Sequence, residues 1–142
     1  MRKILFRGKR VDNGEWVISD CFYQCDGEIK LWDNPNRDGW INVKPETIGQ
    51  YIGLKDKNGK KIFEGDIVKY GEAKASVKFS SKYNLGANGY EYDYEICGFY
   101  AGSEYMTDAM IDGKVEVIAN IYDNPELLEE VERYEKSRSI QL

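Results

Sequence analysis

Apolar and polar residues alternate along much of this chain, and the runs are short. Ile4 to Val11 and Glu15 to Ile18 read as two strands around Asn13-Gly14. Glu28 to Trp32 and Trp40 to Val43 read as two more, separated by the polar loop at 33–39. Lys60 to Phe63 and Asp66 to Tyr70 follow Asn58-Gly59, and Tyr90 to Tyr94 follows Asn88-Gly89. Asn tolerates positive φ and Gly adopts it freely, so this dipeptide between strand-like runs signals a hairpin turn. In Ala75-Ser76-Val77-Lys78-Phe79 the apolar residues alternate, as in a strand with one buried face. Val115 to Tyr122 is richer in apolar residues and is expected nearer the middle of a sheet. Short strands with frequent turns predict a mainly β fold with a barrel or sandwich-like core.

The period changes once, near the end of the chain. Asn124 suits an N-cap and Pro125 suits the first helical position, where a missing N–H costs nothing. Leu127, Leu128, Val131 and Tyr134 recur at helical spacing. Acids lead and bases trail, which complements the helix dipole, and Glu129–Arg133 and Glu132–Lys136 are spaced to pair. This predicts a helix over about 124–138, packed on the β core or on another subunit. The segment from Ala101 to Gly113 fits a short helix or a loop.

Composition narrows the picture. The length of 142 residues suits one domain, read here as 1–142 with a β core over about 1–122. The start has only Ile4-Leu5-Phe6 before the next charge, shorter than the apolar run of a signal peptide. The expectation is a cytoplasmic protein with no membrane span. The net charge of −5 disfavours broad binding to a phosphate backbone. Charge is uneven, however. Arg2, Lys3, Arg7, Lys9 and Arg10 crowd the first ten residues, and acids dominate the last twenty. Both ends read as solvated surface; the sharper alternative is attraction between copies, or a basic patch that meets a partner. There is no histidine, which excludes Ser-His and Cys-His nucleophilic sites and His-containing zinc sites. Cys21, Cys25 and Cys97 are expected to be reduced structural thiols, buried or half-buried.

Three segments are candidates for chemistry. In Tyr90 to Ile96, strict alternation puts Glu91, Asp93 and Glu95 on one strand face and the tyrosines on the other. Three carboxylates suit Mg²⁺ or Ca²⁺, but alternate positions lie about 7 Å apart, too far for one ion. A solvated face over a tyrosine-rich one is the simpler reading, and stacking of bases or sugars on the tyrosines is the alternative. Lys55 to Lys61 is a basic turn that could grip phosphate, although a solvated hairpin tip explains it more simply. Gly65-Asp66 reads as a tight turn into a strand, with Asp66 accepting amide hydrogen bonds. No partner at defined spacing supports a catalytic role for Asp66. No catalytic, cofactor-binding or metal residue is assigned, and no cofactor is expected.

Three blocks carry a family resemblance. They are Ile4 to Gly8, Gln50 to Val68 with its Tyr51-Ile52-Gly53-Leu54-Lys55-Asp56-Lys57-Asn58-Gly59 core, and Val117 to Leu128. In order and spacing the chain resembles the YopX family of phage and prophage proteins; the middle, from about 71 to 113, matches poorly. The resemblance implies a mostly β fold containing an SH3-like barrel, a homo-oligomer, and expression inside a bacterial host. It implies no known catalytic residues. The function expected is therefore a non-enzymatic phage accessory protein working as an oligomeric binding module. A nucleic-acid-associated factor and a carboxylate-based metal enzyme are the alternatives. A host or phage protein is a further candidate partner.

Overall fold

A computed structural model describes residues 3–33, 39–71, 73–83, 96–101, 104–105 and 114–140. Two compact units emerge, one of Met1–Leu54 with Lys61–Phe63, the other of Lys55–Lys60 with Glu64–Leu142.

The first unit holds two antiparallel sheets. One has β1 (Phe6–Lys9), β2 (Trp16–Ser19), β6 (Gly49–Lys55) and β7 (Lys61–Phe63) in the order β2-β1-β6-β7. The other is β3 (Phe22–Cys25), β4 (Glu28–Asp33) and β5 (Gly39–Val43). The Asn13-Gly14 turn joins β1 to β2 as expected. Only Gly14 takes positive φ there; Asn13 works through its side chain, which accepts the Glu15 N–H. β5 is stitched to the end of β1 by Val11 N–H to Asn42 O and Lys44 N–H to Lys9 O. Val17, Ile29, Leu31, Ile41 and Val43 fill the space enclosed, with Phe6 and Ile48 beside them. Gly8 is needed in β1, because a Cβ there would lie 2.9 Å from Val43 Cβ. Leu5, Tyr51 and Phe63 make a second cluster.

The second unit is built on β8 (Asp66–Tyr70), β9 (Ala73–Tyr83), β10 (Ile96–Ala101), β11 (Glu104–Tyr105) and β12 (Val115–Asn120). Their order is β11-β10-β9-β8-β12. Ile67, Val68, Val77, Val115 and Val117 are buried. Among the described residues, β12 is thus a terminal strand of the sheet, not nearer its middle as its apolar content suggests. The reason is that other atoms cover the outer edge of β12. Lys57 N–H donates to Val115 O at 2.9 Å, and Val117 N–H donates to the Asp56 carboxylate at 3.0 Å. Helix α1 (Pro125–Ile140) begins at Pro125, directly after Asn124, and packs on β9, with Val131 buried.

The fold is mainly β with one C-terminal helix. Among the described residues the hydrogen bonds draw three open antiparallel sheets and no closed barrel. Ala75 to Phe79 lies inside the longer β9, and Ser76 is buried along with Val77. The strand expected at Tyr90 to Tyr94 and its Asn88-Gly89 turn lie outside the described residues. So does most of Ala101 to Gly113.

Candidate interaction surface

The sheet β3-β4-β5 has one dry face and one wet face. In β4, Ile29, Leu31 and Asp33 are buried, so Glu28, Lys30 and Trp32 point the other way. The register puts Trp40 directly opposite Trp32 and Tyr23 opposite Lys30, on the same wet face. Tyr23 is 47% exposed, Trp32 37% and Trp40 45%. Their rings touch: Trp32 and Trp40 meet edge to face at 5.3 Å, and Tyr23 lies 5.7 Å from Trp40. Large aromatic rings grouped in water cost hydration free energy, and such patches on proteins commonly mark binding surfaces. The Cys25 thiol beside the Tyr23 phenol, then burial and the Glu28 carboxylate, push that phenol above its ordinary value. It stays neutral and available as a donor at pH 7.

The strand that carries Tyr23 escaped the sequence reading. β3 turns into β4 through Asp26 and Gly27, both at positive φ, 52° and 80°. Positive φ at both central residues defines the tight two-residue hairpin turn, and Asp-Gly is one of its strongest signals. The alternating pattern places Trp32 and Trp40 in strands but does not pair them on the solvent side. Tryptophan at the wet position of an alternating strand was the available clue.

Four of the anticipated basic side chains, Arg7, Lys9, Arg10 and Lys57, are engaged. Arg7 is buried rather than solvated: its guanidinium carbon lies 4.6 Å from the Trp16 ring centre and 4.9 Å from that of Phe63. Planar guanidinium groups stack well on aromatic faces, so this arginine holds the first unit together. Lys9 lies over Trp16 at 5.5 Å. Arg10 grips Asp12 with two bonds of 2.8 Å, which holds the Asp12 carboxyl below its ordinary value.

The Lys55 to Lys61 turn is organised around its one acid. Asp56 is 7% exposed. One carboxylate oxygen accepts from the Asn58 and Lys60 N–H groups, and the other from Val117 N–H, 61 residues away in sequence. Burial pushes the Asp56 carboxyl up, but these three donors and the Lys60 charge outweigh it and hold the carboxyl below its ordinary value. Lys57 is drawn to Glu116 at 3.4 Å. At Gly65, φ is +92° and the Tyr122 ring lies where a Cβ would project, 2.9 Å away. Asp66 is buried beside it. Cys21 and Cys25 are free thiols and exposed, not buried or half-buried, because every residue from Asp20 to Glu28, β3 included, faces water. Glu91, Asp93 and Glu95 lie outside the described residues, among which no group of three metal-ligating side chains occurs.

The YopX protein family model matches residues 5–129. The chain belongs to the YopX family. The match takes in nearly all of the three sequence blocks that resembled this family, and it spans both structural units. Among solved structures, the YopX chain is similar to protein EF1440 from Enterococcus faecalis, at 25% identity and a TM-score of 0.43, over 88% of this chain and 97% of that one. No curated protein matches. No helix of the described residues is long and apolar enough to cross a membrane.

Proposed function

We propose that this YopX chain is a non-enzymatic phage accessory protein, an oligomeric binding module that works in the cytoplasm of a bacterial host. The observation that carries the reading is the exposed aromatic group of Tyr23, Trp32 and Trp40 on the wet face of β3-β4-β5. Rigid aromatic rings supply large contact area at small entropic cost, which is why they anchor protein interfaces. In this reading the face meets another copy of the chain. The SH3-like description of the β core, and the phage origin, rest on the family resemblance.

A nucleic-acid role is the weaker reading. Arg7, Lys9 and Arg10 have rings or an acid against them, and Lys57 has Glu116. Light scattering on the reduced protein tests the leading proposal. Wild type is expected at a multiple of 16.4 kDa at micromolar concentration, and Trp40→Ala at a smaller mass. A wild-type monomer would overturn self-association. An assembly unchanged by Trp40→Ala would clear the aromatic face of the role.

A further inference from the structure

Two sheet edges of this molecule are handled in opposite ways. The outer edge of β12 is covered by Lys57 and Asp56. The outer edge of β3 meets no strand among the described residues, and Asp20 to Glu28 are all exposed. Phe22-Tyr23-Gln24-Cys25 also lacks the lysine, proline or bulge that commonly blunts an open edge.

Register decides which backbone groups face outward. Cys25 pairs with Glu28 across the Asp26-Gly27 turn, Tyr23 pairs with Lys30, and Trp32 N–H donates to Cys21 O at 3.2 Å. In a hairpin with a two-residue turn, these alternate residues direct their N–H and C=O groups to the neighbouring strand. Phe22 and Gln24 therefore direct theirs away from β4. An antiparallel strand arriving at this edge must pair with those two residues.

We propose that the arriving strand is β3 of a second copy, and that two disulfides, each from Cys21 to the partner's Cys25, lock the pair. A two-fold axis at Tyr23 pairs Phe22 with the partner's Gln24. It then sets Cys21 opposite the partner's Cys25 at a non-hydrogen-bonded site. Facing Cα atoms at such sites lie about 4.5 Å apart with their side chains close. A disulfide takes Cα separations of about 4.4–6.8 Å. Within one chain the same two thiols cannot join, because four residues of extended strand hold them about 13 Å apart. The exposed thiols and the bare edge are independent observations that share one centre of symmetry.

The reduced contact is weak by construction. The same axis sets Asp20 opposite the partner's Asp26 twice, and both are exposed. One short strand pair also buries less than the roughly 1,200 Å² that stable complexes need. Oxidation state then decides whether the edge is occupied. Each bond forms by exchange with a small disulfide such as oxidised glutathione. A cysteine thiolate attacks it and releases one glutathione thiol. The facing cysteine thiolate displaces the second, so two protein thiols are oxidised as one small disulfide is reduced to two thiols.

This edge adjoins the aromatic face and shares Tyr23 with it, so the two readings are separated by redox state: the aromatic face is tested on reduced protein, the disulfide on oxidised protein. The test is non-reducing electrophoresis and intact mass after incubation with oxidised glutathione. Wild type and Cys97→Ser are expected to give a covalent dimer that has lost the hydrogens of two disulfides. Cys21→Ser and Cys25→Ser are each expected to stay monomeric, at 16.4 kDa apart from the mass of any glutathione held as a mixed disulfide, and their equimolar mixture to regain a dimer through one disulfide. A single variant that dimerises as fully as wild type, or a mixture that stays monomeric, overturns the proposal.

Discussion

Asp56→Ala removes the acceptor that closes the 56–60 turn and covers the edge of β12. Val117 N–H is the costly orphan, since it is buried, and an unpaired buried donor costs about 1–3 kcal/mol. The Asn58 and Lys60 bonds contribute about 0.5–1.5 kcal/mol each, although water replaces part of that at this exposed tip. The expected loss for the second unit is about 2–4 kcal/mol. The carboxyl sits below its ordinary value when folded, so its stabilisation is present above the unfolded value, near 3.9, and is lost as pH falls through the folded value. Asp56→Asn has no carboxyl to titrate. Its deficit against wild type should therefore shrink as pH falls below about 4. Urea unfolding followed by circular dichroism measures both effects. Tryptophan emission would not, because Trp16, Trp32 and Trp40 all belong to the first unit. Amide exchange at Val117 reports the edge directly and should quicken in Asp56→Ala. A cost below about 0.5 kcal/mol, or an unchanged Val117 amide, would refute the clamp.

Gly65→Ala should destabilise the second unit by about 2–4 kcal/mol in a urea melt, from positive φ and from crowding against Tyr122. Adding Tyr122→Ala should recover the crowding part only, and a Gly65→Ala chain as stable as wild type would refute the geometry. Ser76 Oγ is buried with no hydrogen-bond partner among the described residues, so Ser76→Ala should be neutral or stabilising by up to about 1 kcal/mol. A loss above that size would mean that the hydroxyl is bonded.

What sequence revealed, and what it hid, follows from the range of the interactions. The Asn13-Gly14 and Asn58-Gly59 turns and the Pro125 helix start are local, and they stand where the turn signals and the proline put them; the Asn124 side chain accepts Asn120 N–H at 3.4 Å. β8 matches its expected bounds, and β9 extends beyond its alternating core. Asp56 was hidden inside a run of lysines, because its decisive partner is Val117, far along the chain. Arg7 looked solvated because Trp16 and Phe63, which sandwich it, come from two other strands. β3 has no apolar alternation, since an edge strand exposed along its whole length needs none. Apolar content misplaced β12 because a turn from elsewhere, not a further strand, dries its edge.

Acrylamide quenching of reduced protein across a dilution series reads whether the face of Tyr23, Trp32 and Trp40 is where this chain binds. Tryptophan emission should become harder to quench as concentration and assembled mass rise together, and Trp40→Ala should abolish the change. Quenching that stays constant while the mass grows would contradict binding through this face.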